Sequence, residues 1–569
     1  MEPRYRNPVL PADWSDPDVV RVGEDFYLTA SSFHRTPGLP LLHSRDLVHW
    51  TLVGHALPRL HEAGAYSRPR HGSGVWAPAI RHHDGRFVIV YPDPDHGLFT
   101  VTAKDPAGPW SEPRLLRAGR GLIDPCPLWE EDGTAWLVHG WARSRSGIGN
   151  RLTLHRMSPD AGELLDEGRT VVDGDAIDGC RTLEGPKLYR RDGWYWILAP
   201  AGGVATGWQY AFRSRRIEGP YEHRVVLAQG ATGVNGPHQG AWVDTPSGED
   251  WFLHFQDRGA YGRVVHLQPM GWRADGWPVM GVDADGSGLG SPVAEWPAPR
   301  VARPGPPARP ADGDDFTGAG PGPQWSWQGD PGHPDGAGPT GAGWYAMGPG
   351  GAGGRDHPLS LSCRRDELAA DLRALPNVLE QRFPAEEFDA CTTLRLESTA
   401  DGARAGLAVL GREYAWVGLE RRDGHSWLVA RTTFPSGDPA GAGDREAGTV
   451  GGAAAAGASA SAERDAAEPV RVPDGARVVL RLRTRAGAVC HLDARVSDGT
   501  GPVTDVADAT GAAGAAGVAC GPFGAVPGRW VGAAVALFAA APGASGEGPE
   551  EENPGAGLFG PFVVEHVGK

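Results

Sequence analysis

The sequence predicts an all-β protein, a five-bladed β-propeller followed by a β-sandwich. Three observations carry that reading. One small pattern recurs five times before residue 270: a Pro- or Gly-marked turn, a short apolar strand, a tight turn, and a second, more aromatic strand. A Pro-rich stretch at 298–313 then separates these repeats from a second region of scattered short strands. No helix-period pattern persists for long in either part.

The five copies read SDPDVVRVGEDFYLTAS from Ser15, WAPAIRHHDGRFVIVY from Trp76, DPCPLWEEDGTAWLVHG from Asp124, EGPKLYRRDGWYWILAP from Glu184 and GAWVDTPSGEDWFLHF from Gly240. Their turns fall at Gly23-Glu24, Asp84-Gly85, Asp132-Gly133, Asp192-Gly193 and Gly248-Glu249, spaced 61, 48, 60 and 56 residues apart. A hairpin cannot bury its own faces, so hairpins recurring at such a period stack around an axis as propeller blades. Runs at 39–54, 97–113 and 208–227 supply a third strand or more per unit, with alternation such as Phe99-Val101 and Tyr210-Phe212. Closing five units into a ring leaves no long exposed edge.

The expected domains are therefore a propeller over 1–297, a linker over 298–313 and a sandwich over 314–569. Strands such as 407–422 and 476–487 suit the sandwich, and DELAADLRAL (366–375) is the best helical candidate, with a mere local turn as its alternative. The Gly/Ala-rich stretch at about 437–467 reads as a low-complexity loop inserted in that domain.

A formal charge of −16 disfavours nucleic acid and anionic membranes as partners. The six cysteines form no CxxC pair and have no metal-site spacing, so most are expected to be free and buried. No run of 18 apolar residues is present, so no membrane span is expected. The N-terminus shows no apolar signal core, and a cytoplasmic location is the expectation. The sequence is compatible with a homo-oligomer.

Three copies begin with a carboxylate near the same place: Asp16, Asp124 and Glu184. If the copies are blades, equivalent positions point at one axis, and three acids far apart in sequence meet in one pocket. Aspartates also serve as turn-formers, which is the plainer reading of each taken singly. Together they suit glycosidic cleavage, which needs an acid for the leaving oxygen and a carboxylate for water or for direct attack. The two must differ in protonation at one pH, and a third carboxylate nearby raises the pKa of the acid. Trp76 holds the same register as Asp124 and Glu184, so it should face the pocket.

Several blocks identify a family. NPVLPADWSDPDVVRVGEDFYLTASSFHRTPGLPLLHSRDLVHWTLVGHAL (7–57) resembles the opening of glycoside hydrolase family 43. The likeness continues through GVWAPAIRHHDGRFVIVY (74–91), IDPCPLW (123–129), TLEGPKLYRRDGWYWI (182–197) and NGPHQGAWVD (235–244). The resemblance implies a five-bladed propeller and an inverting mechanism. It makes Asp16 the general base, Glu184 the general acid, and Asp124 the residue that raises and orients Glu184. Asp18 is the rival to Asp16, since strand alternation would put both on one face. His238 resembles a histidine at the propeller centre, where many members hold a calcium ion or a water cluster; no other cofactor is implied. A lone His is also often structural, and calcium prefers oxygen ligands, so an ion at His238 is expected to be mainly hydrated. Arg263 resembles an arginine that reaches toward sugar hydroxyls. Sugars need aromatic faces beside fixed polar groups, and Trp76, Trp14, Phe33 and Trp208 are the candidates. Residues 375–397 and 527–542 resemble the concanavalin-A-like sandwich of family β-xylosidases, which closes one side of the pocket; the Gly/Ala-rich insertions depart from that domain's usual pattern. The expected substrate is a short plant-polysaccharide oligosaccharide that loses terminal xylose or arabinofuranose. An arabinanase, a galactan-acting glycosidase, or a catalytically silent carbohydrate-binding protein are the alternatives.

Overall fold

Five four-stranded antiparallel sheets follow one another along the first half of the chain, one per repeat. The computed structural model describes residues 3–61, 64–330, 343–348, 356–433, 462–497, 506, 516–543 and 554–567. Blade 1 runs from the strand Asp18–Val22 to Thr51–Leu57, blade 2 from Ala79–His83 to Arg114–Ala118, and blade 3 from Leu122–Trp129 to Arg169–Asp173. Blade 4 runs from Lys187–Arg191 to Glu222–Ala228, and blade 5 from His238–Asp244 to Pro278–Met280. The first hairpin of each blade turns where the sequence places it. Asp84-Gly85 and Asp192-Gly193 both have positive φ at each residue, 48° and 69° in one, 51° and 72° in the other, as two-residue hairpins of type I′ require.

Among the described residues each blade is built from its own four consecutive strands. The ring closes because the N-terminal segment lies along blade 5: Leu10 bridges Val265, and the Asn7 amide donates to the Leu267 carbonyl at 2.8 Å. Arg4–Arg6 pairs with Glu295–Pro297, which joins the two ends of the ring.

The second half builds two stacked sheets. One centres on Ala534–Pro542 between Leu379–Arg382 and Arg404–Leu410; the other centres on Phe388–Glu397 and Val478–Arg485. Their inner faces share a core of Leu, Val, Ala and Phe that continues into the propeller through Tyr261 and Val264. Arg35 of blade 1 meets Glu380 of the sandwich at 2.5 Å, both almost fully buried. The two domains are thus locked by apolar contact and by a desolvated ion pair.

At 366–375 the local turn prevails over the helix, and one further expectation changes. Residues 366–375 do not form an α-helix. Ala369, Leu372 and Leu375 bury against the sandwich sheet, and the Asp371 side chain accepts from the Arg373 N–H, which leaves a single 3-10 turn at Leu372–Ala374. The Gly/Ala-rich stretch lies outside the described residues as far as 461, but its end is not loop: Arg464–Asp465 pairs with His425–Thr432. Among the described residues no helix is long and apolar enough to cross a membrane.

Candidate active site

Each blade delivers one side chain from the start of its first strand. Asp16 and Trp76 stand just before the first strands of blades 1 and 2, Asp124 lies within that of blade 3, Glu184 stands before that of blade 4, and His238 opens that of blade 5. Two of the acids sit on backbone that ordinary residues avoid. Asp16 has φ 56° and Asp124 φ 55°, with Gln239 beside His238 at 35°. Left-handed backbone at a non-glycine residue costs free energy and clusters at functional positions. It also breaks strand alternation, so Asp16 and Asp18 do not share a face as alternation alone suggests.

Asp16 is 5% exposed. It accepts from the hydroxyls of Ser15 at 2.7 Å and Ser31 at 2.5 Å, and from Arg263 Nη1 at 3.2 Å. Arg263 Nη1 also donates to Ser15 Oγ at 2.7 Å, so hydroxyl and guanidinium fix the same carboxylate. Asp18 has a different role. It is fully buried, takes Arg81 Nη1 and the Ile80 N–H on one oxygen at 2.7 Å each, and lies 3.5 Å from Lys187 Nζ. Arg81 goes on to Cys126 Sγ at 2.8 Å, and Cys126 Sγ accepts from the Leu188 N–H. The inner strands of four blades are knotted together through this network, and Asp18 is its structural anion.

Asp124 Oδ2 accepts from the Gly185 N–H at 2.7 Å, which ties it to the residue after Glu184. Burial pushes its carboxyl up to about 6, with the charge of Asp16 adding and the Gly185 N–H opposing. Glu184 goes further. Burial, then the charges of Asp124 and Asp16, push it up to about 8, with Arg263 pulling back. Its side chain retains 26% exposure, so it faces a space that a substrate can reach. A carboxyl that stays protonated at neutral pH can give a proton; one held by two hydroxyls and a guanidinium is arranged to accept one.

His238 Nε2 lies 3.4 Å from Glu184 Oε1. Burial, with Arg263 and His254 adding, pulls its pKa down to about 3, so the ring is neutral. Among the described residues neither of its ring nitrogens has a hydrogen-bond partner, nor does the Trp76 indole N–H. Among the described residues no group of three His, Cys, Asp or Glu side chains could hold a metal. Beside His238 stand one carboxyl that holds its proton and the cation Arg263, a donor set that does not fit a protein-liganded calcium ion.

The aromatic candidates divide. Trp76 is half-buried, with Arg145 over its ring at 5.7 Å. Phe33 is bridged to Val75, next to Trp76, again at positive φ. Trp208 lies under Arg181, and its neighbour Gly207 is packed so closely that a Cβ would stand 3.2 Å from His238 Cδ2. Trp14 does not join them. It packs with Leu10 and Ala12 in the core between blades 1 and 5, under Arg382 at 4.2 Å. It lines a cavity of about 500 Å³ between the domains, whose walls include none of the three acids. Being apolar and flanked by other apolar side chains, it is drawn inward rather than toward the three acids.

One aromatic was not foreseen. Trp530 belongs to the sandwich, yet its ring stands 6.3 Å from Trp76 and 5.6 Å from the Arg263 guanidinium, and it is 40% exposed. Arg529 beside it packs on Gly72, where a Cβ would come within 2.7 Å of its side chain. The motif PGRWVG, an exposed indole in a Pro/Gly loop between strands, was the available signal, but no repeat register connects it to the acids.

Residues 5–278 match the family described as Glycosyl hydrolases family 43, and 313–434 match the Beta xylosidase C-terminal Concanavalin A-like domain. A putative beta-xylosidase of Xylanibacter ruminicola is 49% identical over 295 residues, covering 52% of this chain and 54% of its own. A non-reducing end alpha-L-arabinofuranosidase of Bacteroides ovatus is 35% identical over 298 residues, covering 49% and 54%. The chain thus spans about half the length of the curated relatives it matches. In fold it is similar to a xylan beta-1,4-xylosidase of Bacillus halodurans, with a TM-score of 0.75, 22% identity, and coverage of 99% of this chain and 100% of the other.

Proposed function

We propose that the chain, whose residues 5–278 match glycosyl hydrolases family 43 and whose residues 313–434 match the beta-xylosidase C-terminal domain, is an exo-acting, inverting glycosidase of that family releasing terminal xylose or arabinofuranose from short plant-polysaccharide oligosaccharides. The observation that carries the reading is the split among three converging carboxyls. Glu184 keeps its proton to about pH 8, whereas Asp16 is wrapped by donors. In this reading Glu184 gives its proton to the glycosidic oxygen as the C1–O bond breaks. Asp16 takes a proton from a water whose oxygen bonds to C1 from the opposite face. The products are the leaving alcohol and a sugar of inverted anomeric configuration, with a proton moved from Glu184 to Asp16. Asp124 keeps Glu184 protonated and fixes the turn behind it. Neutral His238 leaves the acid without a competing cation on that side.

Exo-action is supported by the Trp530 segment, which rises over one flank of the pocket beside Trp76. The pentose is supported by the names of the relatives, which are xylosidases and an arabinofuranosidase. The test is a panel of nitrophenyl glycosides, xylobiose, arabinan and galactan, with the first-formed anomer read by proton NMR. Terminal pentose of inverted configuration is expected. Release of internal fragments from arabinan or galactan would move the assignment to an endo-acting enzyme. Binding without turnover across the panel would make the protein a carbohydrate-binding module. Full hydrolysis by both Asp16→Ala and Glu184→Ala would remove the mechanism.

A further inference from the structure

Asp13 lies three residues before Asp16 and is 4% exposed. Its Oδ1 accepts from the Arg263 N–H at 2.9 Å, and its Oδ2 accepts from the Gly532 N–H at 2.9 Å. One carboxylate therefore holds two backbones: that of Arg263, whose guanidinium grips Asp16, and that of Gly532, two residues beyond Trp530. The surroundings are shaped to allow this. A Cβ at Gly262, where φ is +73°, would stand 2.4 Å from Asp13 Cγ, and a Cβ at Gly532 would stand 2.7 Å from the Gly262 N. The Ala533 N–H donates to the Ala260 carbonyl at 2.7 Å beside them. Behind Asp13, its carboxylate lies 3.6 Å from Arg35, and its main-chain carbonyl accepts from Arg382 Nε at 2.6 Å. Buried charge on this scale is costly unless every partner is in place.

We propose that Asp13 is a positioning residue that seats the sandwich's Trp530 arm against Arg263, and so couples the second domain to the sugar pocket. The proposal rests on the glycosidase reading above. A carboxylate suits the place because two N–H donors converge on it from two domains. An asparagine has one acceptor oxygen, and its amide N–H groups would meet one of those donors head-on.

The test is a double-mutant cycle between Asp13→Asn and Trp530→Ala, read as kcat and KM on the disaccharide that the wild type hydrolyses. Asp13→Asn is expected to raise KM about tenfold with a smaller change in kcat, and to add less than about threefold once Trp530 is already alanine. Effects that multiply independently would overturn the coupling. Gly532→Ala retains Asp13 but forces the arm off the propeller, and it should reproduce the rise in KM even if Asp13→Asn folds poorly. A wild-type KM in Gly532→Ala would equally overturn it. Hydrogen exchange separates this idea from the glycosidase reading, because it needs no turnover. The amides of 531–533 should exchange at least tenfold faster in Asp13→Asn, with Ala534–Pro542 unchanged. Unchanged exchange at 531–533 sinks the proposal whatever the enzyme hydrolyses, and inactivity of the wild type sinks only the reading of function.

Discussion

Replacing Asp124 with asparagine removes one negative charge and retains an oxygen for the Gly185 N–H. The consequence falls on Glu184. That carboxyl stands at about 8 instead of its ordinary 4.5, with burial the foremost cause and Asp124 the next. The whole displacement corresponds to about 5 kcal/mol against ionisation, at about 1.4 kcal/mol for each pH unit. If the charge of Asp124 supplies a fifth to a half of it, the variant loses about 1–2.5 kcal/mol of that protection. With Glu184 as the proposed acid, activity requires it protonated and is expected to decline as pH rises through its pKa. In the wild type this alkaline limb should lie near pH 8; in Asp124→Asn it should move toward acid by about 0.7 to 1.8 pH units. The assay is kcat/KM against pH on a disaccharide and on an aryl glycoside with a good leaving group. The second substrate needs little proton donation, so its alkaline limb should respond much less. An alkaline limb that stays in place on the disaccharide, in a variant of unchanged melting temperature, would refute the assignment of Asp124 as the group that tunes Glu184.

Other outcomes follow from the same geometry. Asp18→Asn leaves buried Arg81 and Lys187 without their anion and should cost about 3–5 kcal/mol, roughly 10 °C in melting temperature for a domain of this size, while kcat measured in the cold falls less than tenfold; loss of all turnover in a folded variant would restore Asp18 as the base. Glu184 is raised on folding, so between 4.5 and about 8 the folded state holds more protons than the unfolded one, and its contribution to stability is lost as pH rises across that window. Glu184→Gln should therefore gain melting temperature over the wild type at pH 8.5 and gain much less at pH 5; an equal gain at both would contradict the raised pKa. Chelation with EDTA should leave kcat/KM within twofold, since His238 offers a poor calcium site; a tenfold loss restored by calcium would show the opposite.

Much of the site was legible in the sequence because repetition converts sequence register into direction. A hairpin that recurs five times must point equivalent residues at one axis, so Asp16, Asp124, Glu184 and Trp76 could be placed together across 168 residues of chain. His238 completes the series in blade 5, although the repeat pattern itself began two residues later at Gly240. The choice between Asp16 and Asp18 was not legible from alternation, because it turns on a left-handed residue that reverses the expected facing. Trp14 was misplaced because sequence proximity to Asp16 says nothing of which way an indole turns once Arg382 and the interdomain core compete for it. The end of the Gly/Ala-rich stretch was read as loop because composition does not register a two-residue edge strand.

By itself the sequence determined the all-β class, the five blades and the acids that share their axis, since hairpin turns and strand periodicity are local and the repeat carries them around the ring. Only the tertiary structure decided which carboxylate sits beside Arg263 at the head of blade 1 and which is locked to Arg81 and Lys187, how far burial and neighbouring charge raise the carboxyl of Glu184, and that Trp530 of the second domain stands beside Trp76 while Asp13 accepts from the Gly532 N–H. Those properties depend on desolvation and on contacts between residues some five hundred positions apart, and no local pattern records either.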